Sequence, residues 1–204
     1  MKLVVITRPE YFVVEHLLIH ELFNEGLDIL HLRKPSGNSS LCERLLSMLS
    51  ENERGKVVIH DNYELKGKYG LYGIHLNSRN PESPKGYKGN VSCLCKSLEK
   101  VGECKRKMKY VMLGPVFDSD SSYANEPRLP LGRQQLRAAS DEGTIDSNVF
   151  AYGGVSTDNI VELRNLGFGG VVVYGSLAKM FNPVSSNDFK EFIRYFRLLR
   201  RATE

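Results

Sequence analysis

Three features that mark other classes of protein are missing from this sequence. No stretch of about 18 apolar residues occurs in it, so we expect no helix that spans a membrane. The first residues lead directly into a strand-like run at positions 3–6, without the form of a signal peptide. The net charge is +4, and the one concentrated basic run lies at positions 197–201. Proteins that bind nucleic acids usually concentrate their basic residues, so we expect no nucleic-acid partner.

Cysteine is also scarce. Four cysteines in a chain of 204 residues do not indicate a disulfide framework. Cys93 and Cys95 have the spacing C-x-C, but no second pair accompanies them, which argues against a structural zinc site. Hydrophobic residues make up 41% of the chain, which is enough for a full core. We therefore expect a soluble, reduced, cytoplasmic globular protein.

What the sequence does contain is a repeated alternation of short β-rich runs and amphipathic helical runs. The connection after the fourth strand, at 77–89, is rich in Pro, Gly and Lys and is expected to be irregular. The predicted strands cover residues 3–7, 28–33, 56–61, 73–76, 90–95, 110–117, 148–152 and 170–174. The predicted helices cover residues 16–26, 40–53, 63–69, 97–107, 134–142, 157–166 and 187–201.

Eight strands, each followed by a helix or its remnant, predict an α/β protein with a (β/α)₈ TIM barrel. Such barrels typically take about 250 residues, so this one is expected to be compact. A doubly wound open sheet is the alternative, but no Gly-x-Gly-x-x-Gly follows the first strand. Neither a linker nor a repeat interrupts the chain, which predicts a single domain over residues 1–204. The last helix carries Phe189, Phe192 and Phe196 at helical spacing, a face that suits a homodimer.

Barrel active sites lie at the carboxyl ends of the strands, and polar residues collect at these positions here. Three of the five histidines, His31, His60 and His75, fall at predicted strand ends. Arg33 ends the second strand, where a guanidinium suits either a bound anion or a structural salt bridge. Asp61 suits Mg²⁺, a catalytic base, or the cap of the helix that begins at residue 63.

Two glycine-containing loops follow the seventh and eighth strands, at residues 153–154 and 175–176. Backbone N–H groups at these two loops form the recurrent phosphate site of barrels. Each loop by itself is equally explained by a tight turn, but the two together favour a bound phosphate. The loop after the sixth strand carries Ser119 and Ser121, whose hydroxyls suit phosphate oxygens or simply solubility.

Taken together, these residues resemble the thiamine phosphate synthase and thiazole tautomerase superfamily over nearly the whole chain. No single segment is specific, but seven in the right order and spacing are fairly specific for the superfamily and less so for the reaction. The matching segments are HLRK at 31–34, IHDN at 59–62, GIHL at 73–76, VS at 91–92, GPVF at 114–117, YGGV at 152–155 and GVVVYGS at 170–176.

The resemblance implies a synthase of thiamine biosynthesis that joins hydroxymethylpyrimidine pyrophosphate to a thiazole phosphate and releases pyrophosphate. It also implies small phosphorylated substrates and a Mg²⁺ ion that stabilises the leaving group. The roles that it implies are Arg33 for the pyrophosphate, Asp61 for Mg²⁺, Ser92 near the reacting groups, Ser119 and Ser121 for the pyrophosphate, and Gly154, Gly175 and Ser176 for the thiazole phosphate.

The chain departs from the pattern of this superfamily at several site positions. Pro35 and Ser122 stand where the synthases have lysines, and Asn80 stands where they have a second carboxylate for Mg²⁺. His31 and His60 replace a Gln and an Asn. Two cations and one carboxylate are therefore absent from the expected site.

Two further functions stay open at this stage. A thiazole tautomerase moves a proton on a thiazole carboxylate phosphate without Mg²⁺, but its catalytic His falls at Pro115, and Gly114-Pro115 is similar to the synthases. In that case His31 or His75 would carry the proton, because histidine titrates near neutral pH. The other alternative is a non-catalytic barrel that binds a phosphorylated ligand and retains Arg33.

Overall fold

A computed structural model describes residues 1–35, 38–118, 129–180 and 186–204. Eight parallel strands follow one another around a closed barrel, and β8 pairs with β1 to complete it. The predicted (β/α)₈ barrel is confirmed, and the open-sheet alternative is wrong. The strands are β1 (Lys2–Ile6), β2 (Ile29–Leu32), β3 (Val57–Ile59), β4 (Gly73–Leu76), β5 (Asn90–Cys95), β6 (Tyr110–Leu113), β7 (Val149–Tyr152) and β8 (Gly170–Val173).

The helices surround the barrel and pack their apolar sides against it. One short helix at the carboxyl end of β8 was not predicted from the sequence. No described helix is long and apolar enough to cross a membrane. The helices are α1 (Glu15–Asn24), α2 (Ser39–Ser47), α3 (Glu51–Arg54), α4 (Leu65–Tyr69), α5 (Val101–Lys107), α6 (Gly132–Asp141), α7 (Ile160–Asn165), α8 (Gly175–Met180) and α9 (Ser186–Thr203), with a 3₁₀ turn at Leu98–Lys100.

The single helix predicted over 40–53 is wrong, because the chain breaks into α2 and α3 near Ser50. The Ser50 hydroxyl accepts a hydrogen bond from the Glu53 amide, and a Glu53 carboxylate oxygen accepts one from the Ser50 amide at 2.7 Å. This capping box starts a new helix, since each side chain satisfies a backbone donor that has no intrahelical partner. The leucines that suggested one helix therefore lie on α2 or, like Leu49, in the break after it, and α3 carries none.

The irregular connection predicted over 77–89 is confirmed, because no helix forms there. It begins with a tight turn in which the amides of Asn77 and Asn80 each donate to the other residue's carbonyl. The Asn77 side chain accepts from the amides of Arg79 and Asn80 and donates to the His60 carbonyl at 2.6 Å. These bonds hold the turn at the carboxyl end of the barrel, beside the end of β3.

Apolar side chains pack in two layers, one inside the barrel and one between the strands and the helices. Strands that are buried on both faces read as continuous apolar runs, as in the GVVV of β8. The inner layer contains Val4, Ile6, Ile29, Val58, Tyr110, Met112, Phe150, Val172, Tyr174 and Ala178. These side chains fill most of the interior of the barrel.

The aromatic face of α9 packs against the barrel of the same chain. Phe192 and Phe196 are almost fully buried there, in contact with the outer layer of the core. The Arg200 guanidinium donates to Asp28 at 2.8 Å and ties the helix to the amino-terminal end of β2. This face is therefore occupied within one chain, which corrects its interpretation as a dimer surface; the homodimer itself stays a prediction.

Candidate active site

Three histidines, a tyrosine and a serine form a polar network inside the barrel. His31, His75 and Tyr110 lie on β2, β4 and β6, and alternate strands share the interior layers of such barrels. His31 Nδ1 lies 2.9 Å from His60 Nε2, and His31 Nε2 lies 2.5 Å from the Tyr110 hydroxyl oxygen. His75 Nδ1 lies 2.9 Å from the Ser92 hydroxyl oxygen. All five residues are buried.

Burial keeps the three imidazoles uncharged. Desolvation lowers the pKa of His31 and His60 well below the ordinary value, and lowers the pKa of His75 to about 3. A neutral imidazole has one N–H and one lone pair, so His31 donates through one ring nitrogen and accepts through the other. The network therefore runs without a break from Tyr110 through His31 to His60. It orients these rings but offers no base that titrates near neutral pH.

Arg33 lies at the carboxyl end of β2, next to the mouth of the barrel. Its amide donates to the Thr7 hydroxyl at 3.0 Å, which joins the ends of β1 and β2. Burial dominates the pKa shifts of His60 and Tyr152, and the positive charge of Arg33 also acts on both groups. No carboxylate among the described residues forms an ion pair with Arg33. The described residues thus offer its guanidinium no structural salt bridge, and its contact with an anion stays a prediction.

Lys34 does not supply the cation that is absent at Pro35. Its ammonium lies 2.6 Å from the Glu15 carboxylate and donates to the Glu10 carbonyl at 2.7 Å. The side chains of Lys34 and Glu15 are 2% and 4% exposed. Because successive residues of an extended segment face opposite sides, Lys34 points away from the barrel mouth.

Asp61 and Arg79 form a two-pronged ion pair at the mouth. Arg79 Nη2 lies 3.0 Å from both carboxylate oxygens of Asp61, and Arg79 Nε lies 3.1 Å from Oδ1. The Asn80 amide nitrogen also donates to Asp61 Oδ1 at 3.1 Å. The turn after β4 thus brings a guanidinium and an amide against the carboxylate that follows β3.

These residues do not fit a Mg²⁺ ion. Magnesium requires near-octahedral oxygen ligands, usually one or two free carboxylates together with water and phosphate oxygens. Both oxygens of Asp61 already accept hydrogen bonds from Arg79, and Asn80 turns its amide nitrogen toward the same carboxylate. The arrangement has one neutralised carboxylate and a resident cation where the resemblance implies two carboxylates and a metal.

The glycines after β7 are explained by close packing. Gly153 has φ +89°, and a Cβ there would lie 2.6 Å from the Pro115 side chain. Gly154 has φ +68°, and a Cβ there would lie 2.5 Å from the Asp118 carbonyl oxygen. Both positions require glycine because the loops after β6 and β7 touch. The turn interpretation therefore accounts for Gly153 and Gly154 without a ligand.

The loop after β8 differs from the loop after β7, because it leaves room for a ligand. A Cβ on Gly175 would meet no described atom within 4 Å. Gly175 is the first residue of α8, and the first amides of a helix have no intrahelical acceptor. The Ser176 hydroxyl is buried and has no hydrogen-bond partner among the described residues. This turn has the donors and the space that a phosphate group needs.

Comparison with known proteins identifies the family. A family profile described as "Thiamine monophosphate synthase" matches residues 3–177. The chain belongs to the thiamine monophosphate synthase family. Its relatives are named as synthases, which are transferases, and the chain is an enzyme of this family in thiamine biosynthesis.

Individual relatives of this family span the same barrel. A solved structure named thiamine phosphate pyrophosphorylase from Bacteroides thetaiotaomicron is 40% identical, covers 99% of this chain and 97% of its own, and has a TM-score of 0.88. A thiamine-phosphate synthase from Herpetosiphon aurantiacus is 26% identical over 183 residues, 84% of each chain. A thiamine phosphate pyrophosphorylase from Pyrococcus furiosus shares the fold at 19% identity, with a TM-score of 0.69 and coverage of 99% and 95%.

The predicted site residues lie in the interior and at the mouth of the barrel. The structure brings His31, His75 and Ser92 into one buried network and leaves Arg33 at the mouth. Asp61 lies at the same mouth but is paired with a guanidinium. Ser119 and Ser121 lie outside the described residues. The roles of all these residues in the family reaction stay predictions.

Two residues of the site were not singled out from the sequence. Tyr110 begins β6 and looks like an ordinary aromatic strand residue, yet its hydroxyl contacts His31 inside the barrel. Arg79 lies in a loop rich in charged residues, and nothing local indicates its partner. One signal was present, because Arg79 directly precedes Asn80, which replaces a family carboxylate. A cationic residue next to the position of a missing family carboxylate indicates that the charges of this site differ from those of the family.

Proposed function

We propose that this protein is a thiamine-phosphate synthase that joins hydroxymethylpyrimidine pyrophosphate to a thiazole phosphate. The bond between the pyrimidine methylene carbon and the pyrophosphate oxygen breaks, and its electron pair leaves with pyrophosphate. The thiazole nitrogen forms a new bond to that carbon. No proton is transferred in this step, so the main task of the site is to stabilise negative charge on the leaving group.

The observation that carries the proposal is Arg33. Its guanidinium lies at the mouth of the barrel without a carboxylate partner among the described residues, at the position that the resemblance gives to the pyrophosphate. A guanidinium presents a planar fork of donors that matches two phosphate oxygens at once. The contact strengthens as charge develops on the leaving oxygen, which is what accelerates the reaction.

The turn at the start of α8 supports a place for the second substrate. Its free amides, the open space beside Gly175 and the unpaired Ser176 hydroxyl suit the phosphate of the thiazole. The turn follows β8, on the carboxyl side of the barrel where barrel enzymes bind phosphate. Only β1 separates β8 from β2 in the barrel, so a thiazole held there lies on the same side of the mouth as Arg33, with its nitrogen within reach of the methylene carbon.

The buried histidines favour the synthase over the tautomerase. Moving a proton at neutral pH needs a group whose pKa lies near 7. Burial lowers the pKa of His31 well below its ordinary value and that of His75 to about 3, so neither imidazole is an effective base. A neutral network suits the synthase, which needs a shaped and oriented pocket but no base.

The test is an assay with both substrates and the purified protein. We expect release of pyrophosphate together with formation of thiamine phosphate. The Arg33→Ala variant should lose at least about tenfold in rate, since one contact to the leaving group is worth at least ~1.4 kcal/mol in the transition state. Arg33→Lys keeps the positive charge but not the planar fork of donors. Its rate should lie between those of the wild type and Arg33→Ala.

Two other outcomes are informative. Conversion of the thiazole carboxylate phosphate without formation of thiamine phosphate would establish the tautomerase instead. His31→Asn and His75→Asn would then identify the proton carrier. Binding of thiazole phosphate with neither reaction would indicate a barrel that only binds its ligand.

A further inference from the structure

We propose that Arg79 takes the place of a metal ion in this protein, so that the transfer of the pyrimidine group proceeds without Mg²⁺. The proposal rests on the proposed function above and names the group that carries the positive charge. The two-pronged ion pair between Arg79 and Asp61 holds that charge at the mouth of the barrel.

The charges at the mouth support the replacement of a metal ion by Arg79. Two carboxylates with one Mg²⁺ have a net charge of zero, as do Asp61 and Arg79 together, with the neutral Asn80 beside them. An arriving pyrophosphate therefore meets the same net charge in both arrangements. The loss of the second carboxylate at Asn80 and the presence of a cation at Arg79 balance each other.

The surroundings hold the guanidinium in a defined place. Asn77 accepts from the amides of Arg79 and Asn80 and donates to the His60 carbonyl, so the turn is fixed to the end of β3. The Tyr63 hydroxyl donates to the His75 carbonyl at 2.7 Å on the other side of the turn. A cation held before the substrate arrives requires little reorganisation during the reaction.

The exposure of the Arg79 side chain also suits contact with a phosphate group. The Asp61 side chain is 12% exposed and the Arg79 side chain 40%, so the carboxylate is the more deeply buried partner and the guanidinium is accessible to a ligand. Only Nε and Nη2 contact Asp61, which leaves the Nη1 donors of Arg79 without a described partner. A guanidinium has five N–H donors, so it can hold Asp61 and a phosphate oxygen at the same time.

The first experiment compares synthase activity with Mg²⁺ and with an excess of EDTA. We expect the wild-type rate to be the same in both. Arg79→Ala should lose at least about tenfold in rate under either condition, the equivalent of one charge-assisted contact. Arg197→Ala is the matched control, because Arg197 forms a similar two-pronged pair with Glu25 at the amino end of the barrel; it should keep full activity.

A double variant tests whether the site can be returned to one that requires a metal ion. Arg79→Ser with Asn80→Asp removes the guanidinium and restores a second carboxylate, so its activity should require Mg²⁺. A wild-type protein that loses activity in EDTA and regains it with Mg²⁺ would overturn the proposal, as would full activity of Arg79→Ala. Thermal unfolding of each variant shows whether a loss of rate reflects a loss of folded protein.

Binding measurements separate this proposal from the proposed function. Calorimetry with inorganic pyrophosphate in EDTA should show binding to the wild type and at least about tenfold weaker binding to Arg79→Ala. Pyrophosphate binding only in the presence of Mg²⁺ would overturn the role of Arg79, whether or not any reaction is detected. If no thiamine phosphate forms but metal-free pyrophosphate binding depends on Arg79, the proposed function fails and this inference stands.

A separate observation concerns the outer wall of the barrel. The sulfurs of Cys93, Cys95 and Cys104 lie within 4.8 Å of one another, with the first two on β5 and the third on α5. All three are free thiols, and Cys93 and Cys104 are only half-buried. They lie between strand and helix, on the face of β5 opposite to Ser92. The helix supplies the third thiol, which the C-x-C spacing does not reveal.

We infer that these three thiols bind a soft metal ion of the Cu(I) class. Thiolates without harder ligands select soft ions, and three sulfurs match the low coordination number of Cu(I). Anaerobic titration with Cu(I) against a chromogenic chelator should show one tightly bound ion in the wild type. Cys42→Ser, which alters a buried thiol elsewhere, should bind equally, and Cys95→Ser should not. Equal binding by Cys95→Ser, or none by the wild type, would overturn the inference.

Discussion

A single hydroxyl oxygen of the candidate site, Ser176 Oγ, is buried without a hydrogen-bond partner in the part of the chain that the structure describes. An unpaired buried polar group costs on the order of 1–3 kcal/mol. A phosphate oxygen at the first turn of α8 would accept this hydrogen bond and remove that cost. At the scale of one residue, this unpaired hydroxyl is what supports the predicted phosphate site after β8.

The neighbouring glycine provides the first prediction. Gly175→Val should weaken the binding of thiazole phosphate by at least about tenfold, because the new side chain occupies the open space beside the free amides. Folding should be unaffected, since no described atom lies within 4 Å of the added Cβ. Titration calorimetry measures the affinity and thermal unfolding measures the stability. Gly102→Val, in the equally open surroundings of α5, is the control, and equal affinities in both variants would contradict the assignment.

Among the elements, α3 shows how a few polar atoms divide a helix. Ser50 and Glu53 satisfy each other's amides, and the Glu53 carboxylate also accepts a hydrogen bond from His20 on α1. The Ser50 hydroxyl donates to the same carboxylate at 2.6 Å. This half-buried cluster fixes the entry into β3, which in turn places His60 and Asp61 at the mouth.

Removal of the cap gives the second prediction. Ser50→Ala should lower the free energy of unfolding by about 1 kcal/mol, because an amide at the start of α3 loses its acceptor. Urea unfolding measures the change. Ser47→Ala is the control, since the exposed Ser47 hydroxyl donates to the Arg44 carbonyl and caps no helix start. Equal stabilities of the two variants would show that the capping box does not hold α3.

For the whole molecule, a polar barrel interior makes stability depend on pH. The unfolded chain binds protons at its histidines below the ordinary pKa of 6.5, whereas the folded chain keeps His75 neutral until about pH 3. Lower pH therefore favours the unfolded state through this window. His31 and His60 act in the same direction, because burial lowers their pKa as well.

The third prediction follows from that difference. The free energy of unfolding should fall as the pH drops below 6.5, by up to about 1.4 kcal/mol per pH unit for each buried histidine. Urea unfolding between neutral and mildly acidic pH measures the slope. His75→Asn should have a shallower slope than the wild type, whereas His16→Asn, on the outer helix α1, serves as the control. A slope in His75→Asn equal to that of the wild type would contradict the prediction.

The order of the elements was determined by the sequence alone. Local patterns suffice for this, because each strand is a short apolar run and each helix repeats its apolar residues at helical spacing. Arg33 and Gly175 were located at the mouth in the same way, since the ends of parallel strands meet on one side of a barrel. The break near Ser50 was missed because the leucine pattern runs up to Leu49 and no Gly or Pro interrupts the residues from there to Glu53.

The partners of the charged and polar groups were decided only by the tertiary structure. Lys34 is adjacent to Arg33 in sequence, yet it faces Glu15, 19 residues earlier, because extended residues alternate in direction. Arg79 meets Asp61 across 18 residues, and Tyr110 meets His31 across 79. Local spacing carries no information on such distant pairs. The fold of the barrel brings them together, and with them it sets the charge balance at the mouth.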